Sequence, residues 1–401
     1  MDIITCTESI RKFLIILRLT LLLTRPQFNH LTSFISTGVQ GGFNGKIINI
    51  PELSMRRIHR TSVGKFLSKS PWPTHLVLDS YQFYVITRIS KQVLETGSPI
   101  YVILDDTIAE KTKPSSKAKR PIAGCSFHYS HLKKKQVYGH QVVCVLLECA
   151  DVKLPYYMEL YDKQQQSKIN MVQQVIERLP DLPGTVYVLG DSWYSSQTII
   201  RASRKRGFHY IGALRTNRVL YTPGGSNLGN KIKEYAKTLT ENDVYLVTVG
   251  NQKYWVQRFN GFIKNLPKDG VIILSWPENK LFDEEALHVF YGTDNSLSVE
   301  QTLQIYTGRW TIEVFFRQSK MQLELDRYQI RKKQAIKRFL LLIMLIFAYC
   351  DSLSAGETSN LSFLRKSARM EIKREVVSWV YSQSLCGISL SVINHELGIC
   401  S

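Results

Sequence analysis

The chain has 401 residues, with 52 Lys and Arg against 33 Asp and Glu, a formal charge of +19, and 44% hydrophobic and 11% aromatic residues. This composition excludes wholesale disorder and leaves enough chain to bury a large core with an appended or inserted domain. The basic excess points to a polyanionic partner rather than an acidic or neutral surface role.

In chain order, residues 1–85 read as mainly helical, broken near Gly38 to Gly45 and at Pro51. The run FLIILRLTLLL (Phe13 to Leu23) resembles a signal-peptide core, but Asp2 and Glu8 precede it, Arg18 interrupts it and no small-residue cleavage site follows, so it reads as a core helix. Met55 to Trp72, MRRIHRTSVGKFLSKSPW, sets bases on an amphipathic element. It fits either a small DNA-binding region or a helical cap on the main core.

PIYVILDDT (Pro99 to Thr107) is an apolar, β-branched run ending in two acids, the pattern of a buried strand with carboxylates at its C-terminal tip. Ile122 to Ser130 and Gln136 to Ala150 read as two further strands. Ser167 to Leu179 reads as a helix, because Ile169, Val172, Val175, Ile176 and Leu179 recur at helical spacing. GTVYVLGDSWY (Gly184 to Tyr194) is another apolar strand that meets an acid, Asp191. Residues 86–215 thus form the first part of an α/β core. From 216 to 295 short alternating strands with turn residues predict an all-β insertion. Ser298 to Leu325 returns to one helix in 296–350, the second part of the core, and 351–401 reads as a helical C-terminal region. FLLLIMLIFAYC (Phe339 to Cys350) falls short of the roughly 20 residues that cross a bilayer. Seven cysteines lie scattered with no CxxC pair, which suits reduced thiols in a cytosolic protein and excludes a recognisable zinc or disulfide framework.

Five basic stretches recur: Arg56 to Arg60, Lys111 to Arg120, His131 to Lys135, Arg201 to Arg206 and Arg327 to Arg338. One alone is a solvated surface; five suit phosphate contacts that carry no sequence information.

The segment YTGRWTIEVFFRQSK (Tyr306 to Lys320) holds a single acid, Glu313. On one helix at roughly 100° per residue, Tyr306, Arg309, Glu313 and Lys320 share an arc of about 60°. A carboxylate between two cations is either an ion-pair ladder or part of a site. Asp106 and Asp191, each at a strand tip, favour the site. Three converging carboxylates repel unless hard cations lie between them. Magnesium and manganese take oxygen ligands, and two such ions can clamp both oxygens of an in-line phosphoryl transfer.

On these residues the chain resembles the insertion-sequence-four family of DDE transposases. YTGRWTIEVFFRQSK fits that family's Y-(2)-R-(3)-E-(6)-K pattern at every named position, ILDDT resembles its first-aspartate motif, and VLGDSWYSS its second. VYGHQVV and GALRTNR are similar as well, and the likeness runs from about Ser54 to Tyr349. The resemblance implies a ribonuclease-H-like core interrupted by a β-rich insertion. It implies that Asp106, Asp191 and Glu313 are the catalytic acids and hold two divalent ions, magnesium or manganese, while Tyr306, Arg309 and Lys320 contact DNA phosphates. In that family the ligand directly precedes threonine, which selects Asp106 over Asp105.

The implied activity is that of a bacterial-type transposase that binds terminal inverted repeats, cleaves at the element ends and transfers the 3′-hydroxyls to target DNA. Relatives form a hairpin intermediate. A homodimer in the synaptic complex and a cytoplasmic, nucleoid-associated location are expected. A DNA-binding protein without chemistry and a simple nuclease are the competing classes; three intact acids speak against the first, and the spread of basic residues against the second. His140 reads as a packed strand residue rather than a general base, Ser192 and Ser195 as turn residues, and Trp193, Trp255 and Trp276 as core residues rather than base-stacking ones.

Overall fold

Helices form where caps and one-sided apolar repeats coincide. The computed structural model describes residues 7–41, 45–54, 58–119, 121–130, 133–222, 229–259, 261–353 and 361–397; Arg56, Arg57, Arg120 and His131 of the basic stretches lie outside them. The N-terminal helices are α1 (Glu8–Ile16), α2 (Arg25–Gln40), α3 (Ile50–Leu53), α4 (Arg60–Ser68) and α5 (Thr74–Thr96). Thr24 and Gln27 close a capping box at the start of α2, with Pro26 in the first turn, where a missing N–H is harmless. Along α5, Val77, Tyr81, Val85, Ile89 and Val93 bury one face, and Gly97 at φ 67° ends the helix in the left-handed region. The expected limit of the helical region at residue 85 therefore falls inside α5.

The sheet is built around β1 (Ile100–Glu110), which pairs antiparallel with β3 (Lys135–Cys149) on one side and parallel with β5 (Val186–Gly190) on the other. A short β2 (Ser126–Ser130) pairs with the start of β3, and β4 (Val152–Leu160) pairs with the rest of it. The sequence reading passes over β4 because Pro155 interrupts its pattern. The proline is accommodated where the β3–β4 register shifts, at Val145 and Leu146, on a strand with one partner. Helix α6 (Lys168–Arg178) precedes β5, and α7 (Gln197–Lys205) connects β5 to β6 (His209–Leu214), which lies parallel to it.

Beyond β6 come β7 (Val219–Tyr221), β8 (Asn230–Lys231), helix α8 (Ile232–Ala236), β9 (Tyr245–Val249), β10 (Gln252–Phe259), β11 (Phe262–Ile263), β12 (Val271–Pro277) and β13 (His288–Gly292). Strands β13, β12, β10 and β9 continue the same sheet outward from β6, while β11, β7 and β8 make a separate three-stranded sheet. The chain is thus a mixed α/β protein with one large sheet, and the β-rich stretch after residue 216 extends that sheet.

The C-terminal part contains α9 (Val299–Thr307), α10 (Trp310–Leu323), α11 (Lys333–Ser352), α12 (Leu361–Leu385) and α13 (Leu390–Glu396). The single helix expected over 298–325 is two, parted at Gly308 and Arg309. The middle of α11, from Arg338 to Asp351, is buried throughout, packed against β4, α2, α4 and α12. Among the described residues no helix is long and apolar enough to cross a membrane.

Candidate active site

The tips of β1 and β5 carry the first two acids. Their parallel register pairs Ile103 with Leu189 and Leu104 with Gly190, so one step further Asp105 stands level with Asp191. Level neighbours on parallel strands present side chains to the same face, and the next residue along a strand presents its own to the opposite face. Asp191 Oδ1 accepts the backbone N–H groups of Trp193 at 2.9 Å and Tyr194 at 3.2 Å, an Asx turn that fixes the carboxylate as the strand ends.

Helix α10 brings the third acid. Arg309, at the position preceding α10, donates from Nη1 to Asp105 Oδ2 at 3.0 Å and from Nη2 to Glu313 Oε1. One guanidinium therefore joins the strand tip to the helix. The break that sets this geometry is a local tightening: Gly308 N–H bonds Ile305 O, Arg309 N–H bonds Tyr306 O and Thr311 N–H bonds Gly308 O, all spanning three residues at 3.0–3.1 Å. A side chain at Gly308 would bring a Cβ to 3.1 Å from Ile305 O, so glycine permits the close turn. Tyr306, ending α9, packs edge-on against Phe290 at 4.8 Å, and its ring centre lies 5.9 Å from the Arg309 guanidinium carbon. A cleft of about 850 Å³ opens from Tyr306 and Arg309 toward Tyr254, Lys253 and His288.

Asp106, expected to join Asp191 and Glu313, makes its side-chain hydrogen bonds to a different set of partners. Its Oδ1 is 2.6 Å from Lys168 Nζ and accepts the Tyr194 hydroxyl at 2.9 Å, while Oδ2 accepts the Gln141 amide. The physical reason is strand alternation: once register sets Asp105 beside Asp191, its successor must face away. Lys320 is also apart from the acids. It lies two turns beyond Glu313; burial lowers its pKa, with only Asp326 opposing. The structure thus gathers Asp105, Asp191, Tyr306, Arg309 and Glu313. Sequence reasoning set Asp105 aside in favour of Asp106, a choice on which the β1–β5 pairing bears directly, and missed Lys168 and Gln141.

Burial pushes the Asp105 carboxyl up to about 7; the Arg309 guanidinium pulls it down, and Asp191 and Asp106 add to the rise. Burial works against the charge on Arg309, yet Tyr306, Asp105 and Glu313 together hold it more firmly protonated than an ordinary arginine. The Tyr306 hydroxyl is raised by burial, with Arg309 opposing. Among the described residues no three His, Cys, Asp or Glu side chains stand close enough to enclose one ion. The cation between Asp105 and Glu313 here is Arg309.

His140 is 2% exposed, hydrogen-bonded to Ala123 O at 2.8 Å and to the Tyr328 hydroxyl at 2.7 Å, and burial lowers its pKa. It is a packed strand residue. Ser195 is likewise buried, donating to Ala213 O at 2.5 Å. Trp276 lies in the core and Trp255 is half-buried, but Trp193 is 48% exposed, contrary to its expected core role.

Residues 97–350 match the family model described as the transposase DDE domain. No curated protein matches the chain.

Proposed function

Because the chain belongs to the transposase DDE domain family, we propose that it is a DNA transposase of the insertion-sequence-four type that binds terminal inverted repeats, cleaves DNA at the element ends and transfers the 3′-hydroxyl ends to target DNA. The observation that carries this reading is the bridge from Asp105 through Arg309 to Glu313, with Asp191 level with Asp105 on the neighbouring strand. We assign the three catalytic acids as Asp105, Asp191 and Glu313, with residues 86–215 and 296–350 forming a ribonuclease-H-like core and 216–295 its insertion.

The chemistry of the donor set suits a hard divalent ion, although the three carboxylates do not close on one point with Arg309 between Asp105 and Glu313. The set consists of carboxylate oxygens alone, and two of the three already hold a cation, the Arg309 guanidinium. Asp105, Asp191 and Glu313 would hold magnesium or manganese. Such ions supply Lewis-acid polarisation of the phosphodiester and stabilise charge on the attacking and leaving oxygens. The chain's own residues do the rest. Arg309 offers a planar fork suited to phosphate oxygens, and its release from the acids would turn that fork toward the scissile phosphate. Tyr306 lines the adjoining cleft with Arg309 and presents a hydroxyl to the same phosphate. Lys320, further along α10, reaches the next stretch of backbone. A homodimer holding two ends would complete the synaptic complex.

The test is Glu313→Gln in a nicking assay on duplex DNA carrying the element's end, with and without magnesium. The expected result is loss of magnesium-dependent nicking with end binding retained. Nicking at the wild-type rate would sink the assignment.

A further inference from the structure

Two basic stretches far apart in the chain are clasped together. Residues 111–135 hold seven lysines, one arginine and no acid, and residues 327–338 hold three lysines, three arginines and no acid. Such stretches repel each other, so backbone acceptors rather than ion pairs hold them. Lys111 Nζ donates to Asp326 O at 2.6 Å and to Tyr328 O at 2.9 Å, and it lies 3.6 Å from the Tyr328 ring centre. Ala123 N–H donates to Arg331 O at 2.9 Å. Between and beside these anchors Lys113, Lys117, Lys119, Arg327, Arg331 and Lys332 are all exposed. The outer end of the β2–β3 pair adds Lys133, Lys134 and Lys135. Among the described residues only Lys133 and Arg327 of these have a carboxylate partner, Glu110 and Glu324.

This surface lies on the face of the sheet that carries Asp105. The β1–β3 register sets Cys144 opposite Asp105 and His140 opposite Ala109, and the β2–β3 register sets Tyr138 opposite Phe127. Alternation therefore puts Asp105, His140, Tyr138 and Phe127 on one face. Tyr328 joins the clasp to that face, its hydroxyl 2.7 Å from His140 Nδ1. Phe127 and Tyr138 stand edge to face at 5.4 Å, with Lys113 5.6 Å from the Phe127 ring centre. From Cys144 to Lys135, β3 runs about 30 Å at ~3.3 Å per residue, the rise of roughly nine base pairs. A small anion needs donors that converge on one point, whereas cations strung along a strand suit an extended polyanion. We infer that this clasped surface is a second DNA contact, holding the backbone of duplex DNA about six to nine base pairs from the phosphodiester at the acid cluster. This rests on the transposase reading. It makes the two stretches one site, set at a fixed distance from the acids by the length of β3.

The test compares two triple variants of the full chain, in chelator, on a duplex that carries the element's end and extends well past the cleavable bond on both sides. Lys113→Gln, Lys134→Gln and Arg331→Gln together remove cations from the clasped surface. Arg178→Gln, Lys231→Gln and Lys264→Gln together remove the same charge from exposed positions outside the basic stretches. All six side chains are exposed, so both triples should melt with wild type. The first triple should bind at least about tenfold more weakly than wild type, with a log–log salt slope shallower by about 2–3, near 0.9 per lost phosphate contact. The second should stay within about threefold of wild type. Shortening the duplex to about four base pairs on one side of the cleavable bond should weaken wild type to the level of the first triple and leave that triple unchanged. Equal losses in the two triples would trace binding to bulk charge, and wild-type affinity in the first would point to another occupant, such as an acidic protein. Either result overturns the site, as does a wild type indifferent to shortening on both sides. Magnesium-dependent nicking by wild type would in each case leave the transposase reading standing, whereas loss of both binding and nicking would remove the two together.

Discussion

Asp105 and Asp106 are adjacent on β1 and serve opposite faces of the sheet: the first meets Arg309 at 3.0 Å, the second Lys168 at 2.6 Å. Their substitutions should therefore differ in kind. Asp105→Asn removes a member of the acid cluster and should lower end cleavage by roughly 10³-fold or more, with DNA binding kept. Asp106→Asn loosens only the holder of Lys168 and should lower cleavage by about 10- to 100-fold, the scale of a supporting contact. Single-turnover cleavage of both variants decides the matter, and an inactive Asp106→Asn beside an active Asp105→Asn would return the role to Asp106.

Arg309 neutralises Asp105 and Glu313 at once, with only 16% of its side chain exposed. Arg309→Ala leaves those carboxylates facing each other and Asp191 with no guanidinium between them. In chelator the variant should lose roughly 3–5 kcal/mol of stability, the scale for stripping one partner from a buried ion pair. Millimolar magnesium should then raise its melting midpoint more than it raises that of wild type, because the ion binds the folded form and substitutes for the missing charge. Arg309→Lys should fall between the two, since an ammonium cannot fork to both acids. Equal magnesium responses in wild type and Arg309→Ala would argue that the acids do not take the ion.

Local pattern made much of this visible in the sequence. Apolar runs that stop at an acid mark the tips of β1 and β5, and the order of acids places Glu313 on a later helix. What stayed hidden is non-local. Whether Asp105 or Asp106 faces the site is decided by the pairing of β1 with β5, which no single strand encodes. Pro155 disguised β4 because its conflict with pairing is relieved by a bulge in the partnership with β3. Gly308 does not break an apolar helical repeat, so the tightening that sets Arg309 against Asp105 left no mark. The outward continuation of the sheet beyond β6 likewise depends on strands distant in sequence.

The Asp105 carboxyl is pushed up to about 7 from an ordinary 3.8, chiefly by burial. A carboxyl raised on folding binds its proton more tightly in the native state, so between those two values the native chain carries the extra proton and its stability falls as pH rises. Above about 7 this contribution is constant. In chelator, the stability difference between wild type and Asp105→Asn should therefore shift against wild type from about pH 4 to about pH 7. Denaturant midpoints of the two proteins across that window measure it, and parallel pH profiles would refute it. Magnesium competes with the same proton, so its affinity should increase with pH through the same range.

Arg338 is 1% exposed, and among the described residues its hydrogen-bond partners include no carboxylate. From α11 it donates to Phe66 O at 3.1 Å and Leu67 O at 3.0 Å near the end of α4, to Trp72 O at 3.0 Å and to Thr74 Oγ1 at 2.9 Å, and it lies 4.4 Å from the Trp72 ring centre. A guanidinium suits the C-terminal end of a helix, where carbonyl oxygens point outward and the backbone dipole is negative. This one side chain joins α4, the following loop and the start of α5 to the buried helix of the core. Hydrogen bonds from a charged donor contribute about 1.5–3 kcal/mol each, and removing the donor takes a partner from the Leu67 and Trp72 carbonyls, while Phe66 O keeps the Trp72 indole N–H at 3.0 Å. Arg338→Ala should therefore destabilise the chain by roughly 3–5 kcal/mol in chemical denaturation. Arg338→Lys should recover little, because a single ammonium cannot span acceptors on three segments. Since Arg338 is far along the fold from the acids, folded Arg338→Ala below its melting range should cleave DNA at the wild-type rate. A loss below about 1 kcal/mol would mean that water reaches those carbonyls and that the N-terminal helices are held to the core by apolar packing alone.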